Sequence, residues 1–218
     1  IENDYEAHEL AKIETTLALL LFQNNQYQSA KDFFEKANKS YIEAYGPDHF
    51  KVGETLFTIA KIEMGWKERK RAEENFLKAL EIFDKNEELG NTISHATHAF
   101  LVGLYEEMDQ PEKATLHCQA VAVERPKDFD QQIDPLYRVN PKYPTSMAKN
   151  GHEGFVIVEF EVDTNGFTKD LKVIESSSSN FEKTSLAAIS EWRYAPSVKD
   201  GELIVTKGAR ARIEYRLR

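Results

Sequence analysis

Three stretches of this chain align without a gap: QSAKDFFEKA (28–37), KRAEENFLKA (70–79) and EKATLHCQAV (112–121). Ala30, Ala72 and Ala114 stand 42 residues apart, as do Phe34, Phe76 and Cys118, and again Ala37, Ala79 and Val121. A matching segment precedes each, marked by Leu17 and Leu20, Ile59 and Ile62, and Leu101 and Leu104. Apolar residues at i, i+3, i+4 and i+7 make each unit a pair of amphipathic helices. The alanine lets the first helix of the pair approach, and the aromatic one turn later fills the gap. No pair can bury its face alone, so the units must stack into a solenoid. Turn chemistry falls at NNQ (24–26), YGPD (45–48), ELGN (88–91) and DQP (109–111). Three units, over roughly residues 8–125, make up an all-α domain of residues 1–125.

The helical period stops at RPKDFDQQIDP, and residues 126–139 read as a linker. NPKYP (140–144) favours extended backbone, and a short helix follows through TSMAKN before Gly151. In FVIVEFEV (155–162), Val156, Val158, Phe160 and Val162 face one way, with Glu159 and Glu161 on the other side. DTNG (163–166) turns the chain into a second strand, TKDLKVIE (168–175). A helix follows, with Ser179 and Glu182 fitting a capping box and Phe181, Ser185, Ala188, Ile189 and Trp192 on one face. EWRYAP (191–196) closes that helix, with Pro196 stopping it near Ala195. KDG (199–201) leads into a last strand at about 203–216, where Ala211, Ile213, Tyr215 and Leu217 alternate with charged residues. The expected second domain, residues 140–218, is a small α+β unit of β-β-α-β order.

Charge is uneven. Residues 1–130 carry 15 Lys and Arg against 25 Asp and Glu, a net −10, while the remainder is +1. An acidic front half argues against nucleic acid as a partner, because phosphate binding needs concentrated basic charge. One cysteine, Cys118, excludes an intrachain disulfide and leaves the redox compartment open. The longest apolar run, LALLLF (17–22), is far short of a membrane helix. His95, His98 and the His117–Cys118 pair invite a metal reading. Cys118, however, fills the slot of Phe34 and Phe76 and reads as a small buried hydrophobe. His152 and the serines at 176–179 form no nucleophile–base grouping, and no phosphate-binding glycine pattern occurs. The chain reads as a non-enzyme without cofactor or metal.

The Ala–aromatic–Ala phasing resembles the tetratricopeptide repeat in a 42-residue form. That resemblance implies peptide or protein binding on a groove, with Phe57, Lys61 and Met64 as candidate lining residues. Residues 140–218 resemble the TonB carboxy-terminal domain, through NPKYP, EGFVIVEFEV, Gly166, VIESS, WRYAP, the DG at 200–201 and the terminal IEYRL. This second resemblance implies a periplasmic protein of a Gram-negative cell envelope. It would bind the TonB box of outer-membrane transporters by strand addition and work with an inner-membrane, proton-driven ExbB/ExbD-type complex. The last strand would be the acceptor edge, with Asn140, Pro141, Lys142, Tyr143 and Pro144 close by, and Asn140 stands where the family often has glutamine. The basic row Lys207, Arg210, Arg212 and Arg216 either attracts an acidic peptide or guards the edge against aggregation. Two roles stay open: energy transduction, or a soluble periplasmic adaptor that assembles a complex without force. An exposed edge also allows a homodimer.

Overall fold

The computed structural model describes residues 2–124 and 134–217, without the side chains of residues 2–5 and 87–91. Most of the expected linker, residues 126–133, lies outside the described residues. Six helices come first: α1 (Glu2–Gln23), α2 (Tyr27–Tyr45), α3 (Phe50–Gly65), α4 (Arg69–Asp84), α5 (Glu87–Glu107) and α6 (Pro111–Glu124). A small α+β region follows, with α7 (Thr145–Lys149), β1 (Gly154–Val162), β2 (Thr168–Ser176) and α8 (Ser179–Ile189). It ends with β3 (Ser197–Lys199), β4 (Glu202–Ile204) and β5 (Thr206–Tyr215). The chain divides into two compact units, Ile1–Leu104 and Tyr105–Arg218, with the division inside α5.

The repeat extends to single hydrogen bonds. Asn25, Lys67 and Asp109, again 42 apart, are left-handed with φ of 59°, 63° and 58°. The next residue's N–H reaches back five positions each time: Gln26 to Leu21 O, Glu68 to Glu63 O and Gln110 to Tyr105 O, all at 2.9 Å. This closing bond, around a left-handed residue, ends each first helix and satisfies a carbonyl it would otherwise orphan. In the first unit α2 then packs on α3 through Ala30, Phe34, Ala37 and Tyr41. The ELGN segment, expected as a loop, lies in the first turns of α5, since α4 and α5 are joined by only Lys85 and Asn86.

In the second unit, β1 is the centre of a three-stranded antiparallel sheet of order β2-β1-β5. Its alternation is as the sequence pattern requires, with Val156, Val158, Phe160 and Val162 all buried. Phe181, Ser185, Ala188 and Ile189 of α8 are buried too, and Phe181 and Ile189 share the sheet's core cluster. Three local expectations need correction. First, α8 stops at Ile189, six residues before Ala195. Arg193 is then extended, forming isolated bridges with Tyr137 and Phe167. Second, the N-cap is Ser178, whose side chain accepts from Asn180 N, while Glu182 takes the hydroxyl of Ser176 instead of closing a capping box. Third, the last strand begins at Thr206. Glu202–Ile204 belong to a separate hairpin with β3, turned at Asp200 and Gly201, both at positive φ.

The α6 helix belongs to this second unit. Val121 and Ala122 cluster with Ala195, flanked by Leu136 and Leu203. Gln119 Nε2 donates to Thr164 O at 3.1 Å. The β1–β2 turn presses against Cys118: a Cβ on Gly166 (φ +86°) would lie 3.1 Å from Cys118 Cβ and 2.3 Å from Tyr194 O. That contact explains why the third repeat carries a cysteine where the other two have phenylalanine.

Candidate peptide-binding edge

Among the described residues β5 lies at one edge of the sheet and pairs only with β1. Its polar backbone can be assigned to inner and outer sides by parity. Ser177 N donates to Phe155 O at 3.0 Å, so the Phe155 backbone points towards β2. Neighbouring residues of a strand direct their N–H and C=O to opposite sides. Val156 and Val158 therefore face β5, where they oppose Ile213 and Ala211. It follows that Ile213 and Ala211 bond inward, and the N–H and C=O of Arg210, Arg212 and Glu214 point out from the edge. An extended segment can pair with such a row through backbone hydrogen bonds alone. At the strand's start, Lys207 and Gly208 bulge between the Phe160–Ala209 and Val162–Thr206 pairs, with Gly208 at φ +69°.

The basic side chains of this edge all lie beside carboxylates, with Arg212 and Arg216 sharing Glu214. Arg210 reaches across to β1 and donates through Nε and NH2 to Glu159 Oε2 at 2.9 and 2.7 Å. Arg212 Nε lies 3.3 Å from Glu214 Oε1, and its guanidinium sits 3.8 Å from the centre of the Phe155 ring. Arg216 NH2 reaches Glu214 Oε2 at 2.5 Å, and Lys207 Nζ lies 3.9 Å from Glu161 Oε1. Arg212 and then Arg216 hold Glu214 below the ordinary carboxylate range. The basic row is thus interleaved with Glu159, Glu161 and Glu214. Alternation by itself places Glu159 and Glu161 on the outer side of β1; the signal for their pairing was the matching alternation of Arg on β5.

NPKYP is tied down by its tyrosine. Tyr143 Oη donates to His152 O at 2.8 Å, and its ring meets Phe181 and Tyr215 edge-on, with centroids 5.9 and 5.3 Å away. Tyr215 stacks on Phe181 at 4.4 Å, and its hydroxyl lies 2.8 Å from Thr184 Oγ1 and 2.9 Å from Ser185 Oγ. Tyr143 therefore packs beside the C-terminal end of β5. Pro144 precedes α7, Pro141 is half-buried, and Asn140 and Lys142 are exposed. Trp192 Nε1 donates to Val139 O at 2.8 Å, holding the approach to this segment.

In the first unit, Phe57 meets Phe76 and Phe100 with ring centroids 5.8 and 5.6 Å away. Lys61 Nζ lies over Phe57 and Phe100, at 5.3 and 5.4 Å. Met64 is half-buried on the same helix. Among the described residues no group of three or more metal-binding side chains gathers, and no helix is long and apolar enough to cross a membrane.

These features define a class: a helical-repeat region followed by a small α+β domain with an open antiparallel edge. Residues 139–217 match the family described as Gram-negative bacterial TonB protein C-terminal, and residues 9–85 match the tetratricopeptide repeat. The chain is 32% identical to Protein TonB of Pseudomonas aeruginosa over 82 residues, which is 37% of this chain and 24% of that protein. It is 29% identical to Protein TonB of Vibrio cholerae over 93 residues, 42% of this chain and 38% of that protein. The chain thus spans well under half the length of these relatives. The crystal structure of BtubC (BKLC) from P. vanneervenii superposes with a TM-score of 0.52 at 24% identity. That match covers 59% of this chain and 51% of the other, and it shows a shared fold.

Proposed function

We infer that the second unit captures an extended segment of a TonB-dependent outer-membrane transporter along the outer edge of β5. The observation that carries this reading is the outward row of backbone groups at Arg210, Arg212 and Glu214, on a domain that matches the TonB carboxy-terminal family. Backbone pairing supplies the capture. The role is that of a periplasmic TonB-like protein taking part in energy transduction with an inner-membrane ExbB/ExbD-type complex. The repeats serve as a protein-interaction module, with Phe57, Lys61 and Met64 as the candidate groove. Tetratricopeptide repeats and TonB domains are non-enzymatic types, and the chain acts by binding.

The test is titration of the full chain with TonB-box peptides, followed by amide NMR. Shifts confined to residues 206–216 and to 140–144 support edge capture; a folded chain whose edge amides do not respond overturns it. The repeat array favours a second reading, a periplasmic adaptor that holds one partner on each unit without transmitting force. Failure of the chain to associate with the proton-driven complex, with peptide capture intact, selects the adaptor.

A further inference from the structure

Between α1 and α2 the chain turns through Asn25, Gln26, Tyr27, Gln28 and Ser29, none of them charged. One period later, between α3 and α4, the same positions hold Lys67, Glu68, Arg69, Lys70 and Arg71, every one charged. The two turns share their backbone: Asn25 and Lys67 are both left-handed, and the residue after each makes the same closing bond. The fold accepts a fully charged turn here, so it does not require the uncharged set at 25–29.

These five residues and Trp66, just after α3, line a cleft of about 550 Å³, a size that suits a small ligand. Trp66 is half-buried against the cluster of Ala18, Ala30, Phe34, Ile59 and Ile62, and no described residue accepts its indole N–H. Lys31 Nζ, 5.8 Å from the ring centre, is held by Glu63 and Glu35 at 2.9 and 3.4 Å and brings no unpaired charge. Tyr27, 39% exposed, is braced edge-on by Phe22 at 5.3 Å and donates to Asn25 Oδ1 at 2.7 Å. That bond leaves the Asn25 amide nitrogen as a donor. Gln28 Nε2 donates to Asp32 Oδ1 at 3.0 Å, which leaves its carbonyl as an acceptor.

We propose that this cleft binds a neutral pyranose ring of a glycan chain. An aromatic ring carries negative charge on its face, so the C–H face of a sugar ring stacks on it, and the indole N–H adds a donor at the same place. Side-chain amides and a hydroxyl supply donors and acceptors together, the set that neighbouring sugar hydroxyls need. A charged lining would lose its water against a neutral ligand with no counter-charge to compensate. All six lining residues are uncharged, in keeping with that cost. N-acetylated glycan strands and plain glucans both supply such rings.

The test titrates the full chain with chitotetraose and with maltotetraose and follows both indole N–H signals by NMR. A saturable shift of Trp66, with the buried Trp192 unmoved, is expected from at least one of them, and the tighter-binding tetraose names the source. The double variant Gln26→Glu with Gln28→Lys installs the residues of the second repeat's turn, so its fold should be kept. It should weaken sugar binding about tenfold or more, because the new charges lose water without compensation. Trp66→Leu, with its melting profile recorded, should do the same. No saturable shift with either tetraose on a folded chain overturns the proposal, as does sugar binding that the double variant leaves unchanged. A Trp66 shift caused by a TonB-box peptide and by neither sugar also overturns it, by assigning the cleft to a protein segment.

Discussion

The guanidinium of Arg193, almost wholly buried, donates to the carboxylate of Glu106 at the C-terminal end of α5, 87 residues earlier in the chain. The same group donates to Thr115 Oγ1 at 2.7 Å and Asn165 O at 2.8 Å, and stacks on the Phe167 ring at 3.8 Å. Its own backbone holds Leu136 N at 2.7 Å and exchanges bonds with Tyr137. One residue of EWRYAP thus joins α5, α6, the β1–β2 turn and the strand-like segment at 136–137 of the second unit.

Truncating this hub is expected to be costly. Removing one partner of a buried ion pair costs about 3–5 kcal/mol when the other is left without compensation. Glu106 keeps some solvent access, so Arg193→Ala should destabilise by about 2–4 kcal/mol in urea unfolding. Glu106→Gln, which keeps an acceptor, should cost less, and a double-mutant cycle should return positive coupling. By the same logic a fragment 105–218 should unfold at higher urea than a fragment 134–218, which lacks the α5 and α6 groups that pair with Arg193.

Gly166 and Cys118 should each resist enlargement. Gly166→Ala places a Cβ 2.3 Å from Tyr194 O at a left-handed φ, which combines a clash with backbone strain. A loss of about 2 kcal/mol or more is expected from thermal melts. Cys118→Phe restores the residue of the first two repeats but overfills the gap under Gly166, and should destabilise by about 1–3 kcal/mol. Burial pushes the Cys118 thiol up to about 11, so alkylation at pH 8 should proceed only as fast as the second unit opens.

Acid should loosen the first unit. His49 caps α3 by accepting Lys51 N at Nδ1, 3.2 Å away, which requires a neutral ring. Burial, and then Lys51, lower its pKa from 6.5, partly offset by Glu54. His98 is lowered as well, by burial first and by His95, against Asp84. Both groups are harder to protonate folded than unfolded. Their contribution is complete above about pH 6.5 and is lost as pH falls through the depressed folded values. His49→Asn, a cap without a titrating ring, should flatten part of this acid slope in denaturant titrations at pH 5 to 8, leaving the part due to His98.

Proline should separate the two sides of β5. Ile213 bonds inward and is buried, so Ile213→Pro removes a ladder bond and should unfold the sheet. Arg212 directs its N–H outward, so Arg212→Pro should leave the domain folded by circular dichroism while weakening TonB-box peptide capture about tenfold or more. Normal capture by a folded Arg212→Pro variant would show that the segment binds elsewhere.

Much of this was legible in the residue order. The Ala–aromatic–Ala period located the helix pairs, and alternation in FVIVEFEV and ARARIEYRLR separated inward from outward residues on β1 and β5. Other features were not legible, because nothing local encodes them. WRYAP looks like a helix terminus until Arg193 is seen bridging Tyr137 and Phe167, both distant in the chain. The Arg row looks like a basic patch until Glu159 and Glu214 are placed beside it.

By itself, the sequence determined which faces are apolar, because periods of 3.6 and 2 follow from backbone geometry alone. Only the tertiary structure decided what covers each face. α2 buries Ile59 and Ile62, the β1–β2 turn with Arg193 and Ala195 covers α6, and among the described residues Leu10, Ile13, Leu17 and Leu20 of α1 stay open. Identical positions in a repeat differ in their surroundings from one unit to the next. Burial is a property of neighbours, and those neighbours are set by contacts between residues far apart in the chain.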